Sequence, residues 1–248
     1  MDKLHELRRR LAGVESAVLG FSGGVGSIFL AHILKNMGKR FVAVTVDHGM
    51  LPDREGIAEL AALLKVRHSF VELDLLGERC FIENSSERCY FCKKAMISAL
   101  RRFAEDNGYA TVLDASDESD LTDYRSAMIA VYEEGVEIPL IDAGLSREEI
   151  VEHVRSLGLP APARESCLAT RIPQDVWIRR EVVERVRGFE GDMRRLGFSA
   201  VRARVHDSLL RIQLPAEELS HALEKRKDIL KAARRRGFVF AAIDTLTL

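Results

Sequence analysis

Two sets of residues in this 248-residue chain have the types and spacing that chemistry requires. The first is Ser22-Gly23-Gly24-Val25-Gly26-Ser27, directly after the apolar run Ala17-Val18-Leu19-Gly20-Phe21. Glycines let a backbone approach a phosphate closely, and the N–H groups of a helix's first turn point at it. The hydroxyls of Ser22 and Ser27 offer two more donors. No lysine of the GxxxxGK[ST] kind follows, so this is a different phosphate loop from that one. A structural glycine turn has a similar string, but the strand before it and the helical pattern after it favour anion binding.

The second set is made of thiols. The cysteines are Cys80, Cys89, Cys92 and Cys167. The charged N-terminus and the lack of a long apolar run give no signal peptide and no membrane partner, so the expected compartment is the cytoplasm. There, thiols serve more often as ligands or nucleophiles than as disulfides. Arg88-Cys89-Tyr90-Phe91-Cys92-Lys93 is a CxxC opening a helix, where the positive end of the helix lowers thiol pKa. A zinc ribbon needs a second CxxC, and the sequence has none. Cys167, in Ser166-Cys167-Leu168-Ala169-Thr170-Arg171-Ile172-Pro173, makes a third thiol. Three suit an iron–sulfur cluster with one open iron; two buried thiols and an exposed one are the other reading. Cys80 has no evident partner and is expected to be structural.

The elements that must position these groups alternate over the first two-thirds of the chain. Strands are expected at 17–21, 41–46, 69–73 and 111–113. Helices are expected at 27–37, 55–64, 93–105 and 124–133, and Ser146-Arg147-Glu148-Glu149 reads as a capping box starting one more. Such alternation predicts an α/β fold with a doubly wound parallel sheet. Pro160, Pro162 and Pro173 mark a linker. Beyond it, a helix (180–196), two strands (200–205 and 209–214), a helix (217–235) and a strand (238–243) predict a small C-terminal α+β domain. The expected domains are therefore 1–175, which binds nucleotide and carries the cysteines, and 176–248, for substrate and oligomer contacts.

Composition is that of a globular protein: 47% of residues are hydrophobic and 30% charged, with a net charge of −1. The charge is uneven. Residues 176–248 hold 16 Lys and Arg against 10 Asp and Glu, leaving 21 against 28 for residues 1–175. Solvated helix faces account for most of this; cations presented to a phosphate-bearing substrate are the sharper reading. A nucleic-acid partner is not demanded, because no strongly basic region with interleaved aromatics exists.

The loop resembles that of the PP-loop ATP pyrophosphatases, whose common form is Ser-Gly-Gly-x-Asp-Ser. With Arg88-Cys89-Tyr90-x-Cys92-Lys93, Asp123-Tyr124-Arg125 and Cys167-Leu168-Ala169-Thr170-Arg171-Ile172-Pro173, the chain resembles the LarE-type sulfur transferases from about residue 2 to 245. That resemblance implies an adenine-nucleotide α-hydrolase-like fold and a reaction using ATP and Mg2+. A carboxylate of a pyridinium nucleotide is adenylylated, and sulfur is then inserted to build the nickel-pincer cofactor of lactate racemase. It also implies a small-molecule nucleotide substrate, sulfide or another sulfur donor, and a homo-oligomer, with a hexamer as the family's form.

Two sulfur strategies occur in the family: one sacrificial cysteine at the position of Cys167, or three cysteines binding a 4Fe-4S cluster. With Cys89, Cys92 and Cys167 all present, the chain resembles the cluster form. The resemblance places Cys167, Glu190, Arg202 and Arg204 at the reaction centre. Arg202 and Arg204 alternate along a strand and so share a face, with Arg211 on the neighbouring strand.

Three segments depart from the family pattern. Gly26 stands at the aspartate position, Val46-Asp47-His48-Gly49-Met50-Leu51 is closer to GMP synthetase, and Asp114-Ala115-Ser116-Asp117 replaces a Gly-Thr-Asn type segment. If Gly26 is a lost metal ligand, Gly26→Asp should raise magnesium-dependent AMP formation. The alternatives are a PP-loop tRNA thiolase, an amidating enzyme of GMP-synthetase type, and a degenerate nucleotide- or cluster-binding module.

Overall fold

The computed structural model describes residues 2–123, 125–162 and 165–248. Contacts divide the chain into two compact units: Met1–Leu75 with Glu87–Glu165, and Leu76–Ser86 with Ser166–Leu248. The chain thus passes to the second unit at 165/166 rather than at 175/176, and that unit also contains 76–86. Asn84 shows why. It is fully buried, its φ is +59°, and its side-chain amide donates to the carbonyls of Pro173 (2.7 Å) and Val176 (3.0 Å). Ile178 donates its N–H to the carbonyl of Ile82 at 2.8 Å.

In chain order the elements are α1 (Lys3–Ala12), β1 (Ser16–Gly20), α2 (Val25–Asn36), β2 (Arg40–Asp47), α3 (Arg54–Leu63), β3 (His68–Glu72) and α4 (Arg79–Ile82). Next come α5 (Arg88–Asp106), β4 (Thr111–Leu113), α6 (Asp120–Asp123), α7 (Arg125–Glu134), α8 (Pro139–Asp142) and α9 (Arg147–Ser156). The second unit continues with α10 (Arg180–Arg195), β5 (Arg202–His206), β6 (Leu209–Gln213), α11 (Leu219–Glu224), α12 (Arg226–Arg235) and β7 (Phe240–Ile243). Among the described residues no helix is long and apolar enough to cross a membrane.

The first unit is built on a four-stranded parallel sheet in the order β3-β2-β1-β4. Its central strands are buried on both faces, which is why they read as unbroken apolar runs. Ala17, Leu19 and Ala43 pack with Leu7, Leu11, Ile28, Leu34 and Ile150 of α1, α2 and α9. Val18, Val42, Val44 and Val46 pack on the other face with Leu100 and Ala104 of α5. Helix α1 was not expected. Asp2 caps it by accepting from the N–H of Leu4, and Leu7 and Leu11 form its buried stripe. The capping box at Ser146 forms as expected.

Strand order reverses between β1 and β4. In open parallel sheets that is the topological switch point, where the loops beyond the carboxyl ends part and leave a crevice for a ligand. The loops at this position are 21–24, after β1, and 114–117, after β4.

The second unit pairs β5 and β6 antiparallel and β6 and β7 parallel. The expected helix 217–235 is broken at Lys225, which ends α11 and begins α12. Helix α10 packs on β5 and α12, burying Val183, Val186, Phe189 and Met193.

Candidate functional site

The glycine loop adopts the geometry that an anion needs. Gly23 has φ +76°, and a Cβ there would stand 3.0 Å from the Ile57 side chain, so any other residue is disfavoured on two counts. Gly24 is the N-cap of α2, with no side chain to satisfy the helix end. The N–H groups of Val25, Gly26 and Ser27 have no carbonyl within the helix to donate to. They therefore converge at the positive end of α2, beside the switch point.

The two serines behave differently. Ser22 is exposed, and its Oγ accepts from the N–H of Gly24 at 3.2 Å, which leaves its hydroxyl proton to donate. Ser27 is 2% exposed and spends its hydroxyl on the carbonyl of Gly24 at 2.9 Å. Of the two donors expected from sequence, Ser22 alone has its proton available.

Gly26 is constrained from outside the loop. A Cβ at this position would stand 2.5 Å from the carbonyl oxygen of Ala115. Backbone oxygen cannot swing aside as a side chain does. The glycine is thus matched to the loop after β4, and the expectation that Gly26→Asp restores a metal ligand is corrected by this contact. That loop is itself firmly held. Asp114, 7% exposed, is ion-paired with Lys93 and accepts from the N–H and hydroxyl of Ser116. Burial pushes the Asp114 carboxyl up, but the Lys93 charge and the Ser116 bonds outweigh it and hold the group below its usual range. Lys93 directly follows Cys92, so the CxxC helix and the loop beside Gly26 are pinned together.

Helix α5 begins at Arg88, which puts Cys89 in its first turn and Cys92 at the start of the next, three residues apart and on one side. Both are half-buried. The Arg88 guanidinium lies 3.8 Å from the Cys89 sulfur, and the Cys92 sulfur 3.8 Å from that of Met96. Cys167, also half-buried, caps the single 3-10 turn Leu168–Arg171. Cys80 lies on α4. None of the four is disulfide-bonded. Cys89 and Cys92 belong to the first unit and Cys167 to the second. Within each unit the described residues gather no three His, Cys, Asp or Glu side chains as a metal site.

In the second unit Arg202 and Arg204 share the half-buried face of β5, while Ala203 and Val205 turn inward. Arg211 faces Arg204 across the ladder and lies 3.2 Å from Asp244. Arg204 donates to Gln213 at 3.0 Å and to the carbonyl of Thr170 at 2.9 Å. Burial, and then the charges of Arg171, Arg211 and Arg202, push its pKa down. Excess positive charge of this kind is relieved by an anion.

Glu190 does not face solvent. It is 1% exposed and ion-paired at 2.7 Å with Arg171, whose guanidinium is fully buried. Sequence reading missed Arg171, Lys93 and Ala115 as site residues, because each matters through a contact distant in sequence. Tyr124 and the side chains of Asp123 and Arg125 lie outside the described residues.

No protein-family model matches the chain. It is 31% identical over 251 residues to an uncharacterized protein, slr1717, of a Synechocystis strain, covering 98% of this chain and 93% of that protein. It is 28% identical over 240 residues to the pyridinium-3,5-bisthiocarboxylic acid mononucleotide synthase of Lactiplantibacillus plantarum, covering 94% and 87%. An uncharacterized protein of Methanocaldococcus jannaschii, MJ0830, is 25% identical over 224 residues, covering 89% and 86%.

Proposed function

The chain belongs to the LarE-type family of PP-loop proteins, and from that membership we propose that it is an ATP-dependent sulfur transferase acting on a carboxylate of a pyridinium mononucleotide. The observation that carries this reading is the match along 94% of the chain to the synthase of L. plantarum. The loop geometry and the arginine face support it.

In this reading ATP enters as its magnesium complex, and position 26 offers the metal no carboxylate. The N–H groups of Val25, Gly26 and Ser27 and the hydroxyl of Ser22 bind the β- and γ-phosphates. An oxygen of the acceptor carboxylate attacks the α-phosphorus, and pyrophosphate leaves with the electron pair of the broken P–O bond. Sulfide then attacks the acyl carbon, a C–S bond forms, and AMP departs with the C–O pair to leave a thiocarboxylate. Arg202 and its neighbours hold the acceptor's phosphate.

The sulfur is carried by the cysteines. Three half-buried thiols outside any disulfide are the soft donor set that a 4Fe-4S cluster takes, so the residues fit the group. Cys89, Cys92 and Cys167 would hold it, and its fourth iron would supply a place for an extra sulfide.

Gly26 favours one other reading, a binding module without turnover. Acceptor-dependent AMP and pyrophosphate formation separates the two: purified protein with ATP, magnesium and pyridinium-3,5-biscarboxylic acid mononucleotide should form AMP, and none without the acceptor. ATP binding with no AMP under either condition selects the module.

Arg202→Ala should weaken acceptor binding by about 1.5–3 kcal/mol, roughly 10- to 150-fold, the cost of a lost charge-assisted contact. ATP affinity should stay within about twofold, because this reading gives the nucleotide to residues 22–27 and Arg202 to the acceptor. Isothermal titration with each ligand checks both, and equal losses would move Arg202 to the nucleotide.

A further inference from the structure

We propose that the buried Arg171–Glu190 pair is the positioning device for Cys167, setting the orientation of its sulfur without touching the reacting groups. The proposal rests on the reading of Cys167 as a working thiol. It changes the part given to Glu190, from the reaction centre to the frame behind it.

Cys167 stands on a single 3-10 turn, which is too short to fix itself. What fixes it is one guanidinium. The Nη1 of Arg171 donates to the hydroxyl of Ser166 at 2.7 Å, to its carbonyl at 3.3 Å, and to the hydroxyl of Thr170 at 3.0 Å. Ser166 precedes the cysteine, and Thr170 closes the turn after it. Thr170 in turn donates its hydroxyl (2.8 Å) and its N–H (3.0 Å) to the carbonyl of Cys167. Arg171 therefore grips both flanks of Cys167 at once.

The far side of the guanidinium is held by Glu190. The Nε of Arg171 lies 2.7 Å from Oε1 and the Nη2 3.4 Å from Oε2. The same Oε1 accepts the N–H of Ala203 at 2.9 Å. Ala203 lies on β5 beside Arg204, which returns to the carbonyl of Thr170. The circuit runs Arg171, Glu190, β5, Arg204, Thr170, and it closes around the turn that bears the cysteine.

Stability alone does not explain such a pair. A buried ion pair is often no more stable than apolar side chains of similar volume, because both charges must be stripped of water. Here the donors facing away from Glu190 point to the two neighbours of one cysteine. Only arginine's planar fork can meet Glu190 and both flanks together; a lysine ammonium cannot reach them all.

Alkylation and amide exchange of the reduced, full-length chain need neither ATP nor acceptor, so failure of the positioning role and failure of the sulfur-transfer reading are told apart. Glu190→Gln keeps the shape and the acceptor for Ala203 but removes the charge. Arg171→Lys removes the fork. Thr170→Val removes the hydroxyl that joins Arg171 to the carbonyl of Cys167 and leaves the ion pair intact, which covers the case in which the first two do not fold. In each folded variant, Cys167 should react with iodoacetamide about tenfold faster than in the parent, with Cys80 unchanged. Amide exchange of the peptide 165–172 should rise by a similar factor. In turnover assays kcat should fall while the KM for acceptor holds. Parental Cys167 alkylation and exchange in every folded variant would overturn the proposal, as would equal acceleration at Cys80, which reports loosening of the whole unit.

Discussion

Gly26→Asp should cost the protein its nucleotide binding rather than improve its chemistry. In the family pattern an aspartate occupies this position, and comparison of strings alone makes the substitution a repair. The structure reverses the sign. A Cβ at 26 would lie 2.5 Å from the backbone oxygen of Ala115. Relief would require moving the loop after β4. That loop is anchored by Asp114, which is buried, paired with Lys93 and bonded to Ser116. The strain of overpacking such a site is about 1–3 kcal/mol, before any repulsion between the new carboxylate and the phosphates. Weaker ATP binding by at least about tenfold is therefore expected for Gly26→Asp. Gly26→Ala should show a smaller loss, since it brings the clash without the charge. Titration with ATP and magnesium, alongside thermal unfolding, measures both. Tighter binding or faster AMP formation in the aspartate variant would mean that the loop after β4 yields readily.

The fold was legible where local pattern and tertiary environment agree. Strands β1 and β2 lie between two helical layers, so both of their faces are apolar, and Val18-Leu19 or Val42-Ala43-Val44 can be read directly. The glycine loop is just as local: strand, turn and helix are contiguous, and the candidate anion donors all lie within residues 22–27. Legibility ended where a role depends on a distant partner. Gly26 in the sequence says only that a carboxylate is missing. That a carbonyl from residue 115 fills the space follows from β4 lying beside β1, which no pattern near residue 26 encodes. Glu190 resembled a reacting group because its type and position matched. Its burial against Arg171, 19 residues away in sequence, is visible only in the fold. Helix α1 was missed although its signal was present: Asp2 with Leu7 and Leu11 is a cap and a stripe, hidden among charges that point to solvent.

The cysteine substitutions should produce the largest effect of all, and they decide how sulfur is carried. If Cys89, Cys92 and Cys167 together ligate a cluster, protein made without oxygen should hold about four irons per chain. Cys89→Ser, Cys92→Ser and Cys167→Ser should each lose the iron or bind it weakly, because a hard alkoxide replaces a soft thiolate. Cys80→Ser, on α4, should keep it. Cys89 and Cys92 lie three residues apart on α5, and none of the four cysteines is disulfide-bonded, so every member of the set is chemically available to this test. The kinetic consequence is separate and equally sharp. Sulfide delivered through a cluster allows many turnovers when sulfide is supplied, and every cysteine retains its mass. A sacrificial Cys167 would instead give one sulfur per chain: its Cβ–S bond breaks, its α-proton is lost, and dehydroalanine remains, lighter by hydrogen sulfide. Iron and sulfide analysis of the purified protein, followed by intact-mass measurement after reaction, distinguishes the two. Iron-free protein carrying dehydroalanine at position 167 would overturn the cluster and leave the ATP chemistry in place, since phosphate binding by residues 22–27 depends on none of the thiols.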